Sequence, residues 1–130
     1  MILRLNQDES KTFFEIVDSE LKCVINEWDS ELGRRPSQKR IRDGKHAKSI
    51  MDKWSQKQPN IPHTTFVDLE KIDACDLELT DKETAYSKCL LEKNAKECRK
   101  ELAKYTTPYT GMLLEFDRIA SCAENISIRL

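Results

Sequence analysis

Phe14, Val17, Leu21, Val24 and Trp28 recur at alternating spacings of three and four. On a helix with 3.6 residues per turn that rhythm puts all five on one face. Ile25 and Leu32 widen the stripe. The rhythm returns twice, in Leu91, Ala95, Cys98, Leu102 and Tyr105 and again in Met112, Phe116, Ile119, Ala123 and Ile126. A looser version runs through Ile41, Ala47, Ile50, Met51 and Trp54. Such stripes are buried most simply against one another. Three glycines and four prolines in 130 residues provide too few tight turns for a sandwich or barrel. The chain therefore reads as one all-α domain over residues 1–130, a bundle of four to five helices.

Local signals divide it. Asp8 or Ser10 can cap the first helix, and Gly33 stops it. Pro36 breaks the chain, and Ser37 can cap a second helix reaching Lys57, so that residues 8–57 form a helical hairpin. Gly44 weakens the middle of that helix by about 1 kcal/mol relative to alanine. Residues 58–79 read as a loop and a short helix from Thr65 to Cys75, with Phe66, Leu69 and Ile72 on one side. Thr80-Asp81-Lys82-Glu83 is a capping-box pattern opening a helix to about Tyr105. Thr106-Thr107-Pro108 ends it, and a last helix completes a C-terminal pair over residues 80–126. The expected core is Phe14, Val17, Leu21, Val24, Trp28, Leu91, Leu102, Phe116 and Ile119. Ile2-Leu3-Arg4-Leu5 and Ile126-Ser127-Ile128-Arg129-Leu130 are β-compatible, so the chain ends either fray or pair as a short two-stranded ribbon.

The residue types needed for most site chemistries are present but dispersed. Cys23, Cys75, Cys89, Cys98 and Cys122 form no CxxC pair, and His46 and His63 lie far from them. Structural zinc wants four ligands in close pairs. Cys98 stands inside an apolar stripe, where cysteine acts as a small hydrophobe. The expectation is reduced, metal-free thiols and no cofactor. Glycine-rich phosphate loops and glycine-bearing nucleophile turns are missing. Acids alternate with lysines at helical spacing, as in Glu92–Lys96. An enzyme would need dispersed catalytic residues, and the expectation is a non-enzyme. Asn125-Ile126-Ser127 matches a glycosylation sequon, read as coincidence because no secretory segment precedes it. With no apolar run of membrane-spanning length, a cytoplasmic or nuclear location is expected.

Charge is the more informative signal. The chain is 35% charged with a net charge of -1. Nine Lys or Arg residues lie between Arg34 and Lys57, against Asp43 and Asp52 alone. One reading is a solvated face paired with the acids of the first helix, among them Glu15, Asp18 and Glu20. The other is a patch for an acidic partner. The partner-binding candidates are Arg34, Arg35, Lys39, Arg40, Arg42, Lys45, Lys48 and Trp54, since Trp and Arg anchor many interfaces. An acidic protein surface is the expected partner, with nucleic acid as the alternative and no role for a membrane. Arg34-Arg35-Pro36-Ser37 also has the form of a basophilic kinase site, marking Ser37 for phosphorylation at a helix N-terminus.

The junction Trp28-Asp29-Ser30-Glu31-Leu32-Gly33-Arg34-Arg35-Pro36-Ser37-Gln38 resembles the helical N-terminal module of the RecQ-family replication helicases and their yeast replication-initiation relatives. The resemblance covers about Leu21 to Lys57, and the same turn chemistry is similar to helix junctions in bacterial sigma factors and coiled-coil adaptors. It implies a helical hairpin and adds a DNA-associated role to the alternatives. The leading expectation remains a non-catalytic interaction module or small subunit of a larger assembly, with its oligomeric state open.

Overall fold

A computed structural model describes residues 1–28, 37–58, 71–105 and 110–130, with side chains described through Val24 in the first segment. The element order is β1 (Ile2–Leu5), α1 (Gln7–Trp28), α2 (Gln38–Gln56), β2 (Cys75–Glu78), α3 (Asp81–Leu102) and α4 (Met112–Ile128). The chain is an all-α helical bundle carrying one short two-stranded antiparallel sheet. Helix α1 packs on α2 and α4, α3 lies along α4, and α2 touches α3.

The helix starts follow from side-chain caps. Thr80 accepts from the Glu83 amide at 3.2 Å while the Glu83 carboxylate accepts from the Thr80 amide at 2.9 Å, completing the expected capping box. Ser37 caps α2 by accepting from the Arg40 amide at 3.2 Å. At α1 the cap is Asn6, not Asp8 or Ser10. Its side chain accepts from the Glu9 amide at 2.8 Å, and Glu9 returns the bond at 3.0 Å. Ser10 is fully buried instead.

The sheet is the main departure from the expected plan. β1 pairs with residues 75–78, not with the C-terminus, in the register Leu3↔Leu77 and Leu5↔Cys75. Cys75, Leu77 and Leu79 alternate with Asp76 and Glu78. That period of two puts Leu3, Leu5, Cys75 and Leu77 into the core and Arg4, Asp76 and Glu78 into solvent. The short helix anticipated to Cys75 therefore gives way to a strand at its end, and Thr65 to Glu70 lie outside the described residues. Residues 126–128 complete α4. The chain ends still meet, because Arg129 donates to the Arg4 carbonyl at 2.9 Å and pairs with Glu9.

Leu3, Leu5, Phe13, Val17, Ile50, Trp54, Ile72, Leu77, Leu79, Leu91 and Ile126 centre the core. Phe14, Val24 and Leu102 are buried as expected. Leu21 and Ile119 are only half-buried at its margin, and Phe116 is half-buried. The Trp28 side chain, Gly33 and Thr106 to Pro108 lie outside the described residues. The stripe over α4 is truncated at its first turn, where Met112 and Leu114 are exposed.

Gly44 has a packing reason. It is buried on α2, and a Cβ there would sit 2.9 Å from Val24 Cγ1 on α1. Gly44→Ala would raise helix propensity by about 1 kcal/mol, yet overpacking of this kind costs about 1–3 kcal/mol. The expected result is a lower thermal midpoint, restored in part by adding Val24→Ala. A double-mutant cycle in thermal denaturation checks it. Simple additivity of the two changes would contradict the contact.

Candidate functional site

Helix α2 has three sides with different fates, and its basic residues fall on two of them. The buried side carries Gly44, Ala47, Ile50 and Trp54. Trp54, expected at a docking face, is a core residue only 1% exposed. Its ring stacks on Phe14 at 4.5 Å, and its Nε1 donates to Ser10 Oγ at 3.0 Å. The three-four rhythm that marks a buried stripe already placed Trp54 on that side, so the correction lies in its role.

The edge facing α3 is partly consumed by internal pairing. Lys53 Nζ pairs with the Glu83 carboxylate and donates to the Glu78 carbonyl at 3.0 Å. Ser49 Oγ donates to the same carboxylate at 2.8 Å. Burial opposes ionisation of Glu83, but the bonds from Lys53, Thr80 and Ser49 outweigh it and hold the carboxyl down at about 2. Arg40 pairs with Glu20 of α1. Among the described residues this is the only ion pair between the basic helix and the acids of α1. Asp18 pairs with Lys22 inside α1 instead.

A groove of about 570 Å³ opens on this edge, between the start of α2 and α3. Ser37, Lys39 and His46 of α2 face Lys82, Tyr86 and Lys93 of α3 across it. Tyr86 stacks at a tilt on His46 at 5.8 Å, and its hydroxyl is buried without a hydrogen-bond partner among the described residues. Burial, then the charges of Glu20 and Asp43, push that phenol up from its ordinary range. Lys82 and Lys93 were not anticipated as site residues. They belong to α3, and only its packing against α2 places them beside the basic cluster.

The outer side of α2 is open. Arg42, Lys45 and Lys48 are exposed, and the last forms an exposed pair with Asp52 at 3.2 Å. Beside them runs a second groove of about 380 Å³ between α1 and α2. Leu21, Val24, Ile41 and Met51 supply its apolar surface, and Lys45 and Lys48 stand on its rim. Lys39, Arg42, Lys45 and Lys57 form no ion pair among the described residues. Arg34 and Arg35 lie outside them.

The five thiols lie apart. Cys75 is buried, Cys98 and Cys122 are half-buried, and Cys23 and Cys89 are exposed. Burial pushes the thiols of Cys75, Cys98 and Cys122 up. No three His, Cys, Asp or Glu side chains gather in a metal-binding arrangement among the described residues. No described helix is long and apolar enough to cross a membrane. Comparison with family models, with curated proteins and with solved structures finds no match.

Proposed function

We propose that this chain is a non-catalytic interaction module that docks an acidic, amphipathic segment of a partner protein on the outer face of α2. The observation that carries the reading is the apolar groove between α1 and α2 with Lys45 and Lys48 on its rim. A helix laid in such a groove anchors apolar residues at three-four spacing and sets its acids against the rim lysines. Arg42, exposed and three residues before Lys45 on the same helix, adds a further positive charge nearby. Charges so placed steer association and fix orientation more than they add affinity.

The experiment is selection from a displayed library of helical peptides, followed by titration against a charge-reversed variant. Arg42→Glu, Lys45→Glu and Lys48→Glu are chosen because all three side chains are exposed. Arg40 is left intact because it holds Glu20. Selected peptides are expected to carry Asp and Glu around Leu or Phe anchors. The triple variant should retain its circular dichroism spectrum and bind them at least about tenfold more weakly, a loss of about 1.4 kcal/mol. Equal affinity for both proteins would refute the site. Tight binding of duplex DNA with a steep salt slope would favour the nucleic-acid reading instead.

A further inference from the structure

Strand β2 has two edges, and β1 pairs with one of them. Met1 and Leu79 exchange backbone hydrogen bonds at 3.1 and 2.8 Å just beyond the ladder. Bonded pairs alternate in an antiparallel ladder, so Leu3↔Leu77 and Leu5↔Cys75 bond likewise, and the amides and carbonyls of Asp76 and Glu78 point outward. Among the described residues no backbone group meets them there. Lys53 Nζ donates to the Glu78 carbonyl at 3.0 Å, so that oxygen already accepts a donor from the outer side. A groove of about 430 Å³ opens along this edge, lined by Leu77, Glu78 and Leu79 and by Lys53, Gln56 and Lys57 of α2.

We infer that the outer edge of β2 docks an extended, alternately basic and apolar segment of a partner protein as an antiparallel third strand. Strand addition of this kind draws affinity from main-chain hydrogen bonds and specificity from alternate side chains. An exposed edge strand is a template for it, because its outward amides and carbonyls are fixed in place. The segment bonds both backbone groups of Asp76 and the amide of Glu78, and one of its own amides takes the place of Lys53 on the Glu78 carbonyl. Lys53 keeps its pair with Glu83.

The paired edge shows what suits β2. There Leu3-Arg4-Leu5 sends two leucines into the core and sets Arg4 opposite Asp76, 3.9 Å away. Glu78 has Ile2 opposite it instead, and its carboxylate forms no ion pair among the described residues. Both acids are exposed on the outer face of the sheet. Lys or Arg at alternate positions of a third strand stands directly opposite Asp76 and Glu78, where unlike charges stabilise and like charges destabilise. The residue between the two cations points to the other face, beside Leu77 in the groove, which favours an apolar side chain. A second copy of this chain fails that test, because β2 paired with itself sets Asp76 and Glu78 against acids. The chemistry is opposite to that of the α1–α2 groove, whose rim carries Lys45 and Lys48, so the two sites are independent.

The test is titration of the ¹⁵N-labelled full chain with an end-blocked peptide, Thr-Lys-Val-Arg-Val-Thr, read at the backbone amides by NMR. The Asp76 and Glu78 amides are expected to shift and to exchange with solvent more slowly as they become bonded. The peptide with Glu in place of Lys and Arg should bind there at least about tenfold more weakly. Asp76→Lys/Glu78→Lys, two exposed changes that spare the core, should reverse that preference. A second comparison needs no protein variant. Methylating the amide nitrogens of the peptide's Lys and Arg removes the donors that face β2 and should abolish binding, whereas methylating those of its two valines, which face away, should not. Shifts at Gly44 and Lys45 but not at Asp76 and Glu78 would place the peptide in the α1–α2 groove and overturn the proposal. Absence of any shift, equal binding of the basic and acidic peptides, or equal binding of the two methylated peptides would overturn it too.

Discussion

Replacing Trp54 with alanine is expected to lower the stability of this domain by about 3–5 kcal/mol. The side chain is 1% exposed and the largest in the core. Truncation removes its stack on Phe14 and leaves the Ser10 hydroxyl, bonded to Nε1 at 3.0 Å, without its donor. The nearby Cys75 Sγ, 3.7 Å from the same oxygen, makes only a weak partner. Trp54→Phe keeps the stacked ring and loses the hydrogen bond, so a smaller loss of about 1–3 kcal/mol is expected. Guanidinium denaturation followed by circular dichroism measures both. For a domain with a total stability of about 5–15 kcal/mol, the alanine variant is close to unfolding. A Trp54→Ala protein that unfolds at the wild-type midpoint would remove the indole from the core and return it to the docking surface.

Glu83→Ala is expected to be nearly as damaging, by about 3 kcal/mol at neutral pH. Glu83 is 3% exposed, and three elements converge on it. Thr80 bonds it at the start of α3, Ser49 and Lys53 reach it from α2, and Lys53 also holds the Glu78 carbonyl at the end of β2. Removing one partner of a buried pair leaves the other uncompensated, at about 3–5 kcal/mol. Lys53 is one-third exposed and retains some water, which places the cost at the lower end.

The same carboxylate makes the protein acid-sensitive in a defined window. Its folded-state value of about 2 lies below the ordinary 4.5. A depressed carboxylate stabilises the fold fully above its unfolded value and loses that contribution as pH falls through its folded value. The shift corresponds to about 3 kcal/mol. Denaturation of wild type and Glu83→Ala at a series of pH values should show the gap between them constant above about pH 5. It should close between there and about pH 2. A gap that does not change across that range would mean that the ion pair contributes nothing and that the capping geometry alone is responsible.

Much of the architecture is legible in the chain because its signals are local. The stripe from Phe14 to Val24 names α1, Thr80 and Glu83 lie within one helical turn and name the start of α3, and Ser37 names the start of α2. Each depends on residues three or four apart, so the pattern alone carries the physics. Clustering of cations between Arg34 and Lys57 is equally visible. Four-residue strands are different. Ile2–Leu5 alternates visibly, but the partner that satisfies its backbone lies some 70 residues on in the chain, and Cys75–Glu78 is too short to announce itself beside a competing helical reading. Tertiary packing also decided what each cation of α2 does. Arg40 and Lys53 are drawn into pairs with Glu20 and Glu83, whereas Arg42 and Lys45 stay in solvent, because α1 and α3 approach the helix on two sides and leave the third uncovered. The grooves beside α2 exist only through those approaches, since Lys82 and Lys93 on α3, like Leu21 and Val24 on α1, reach the site from other helices.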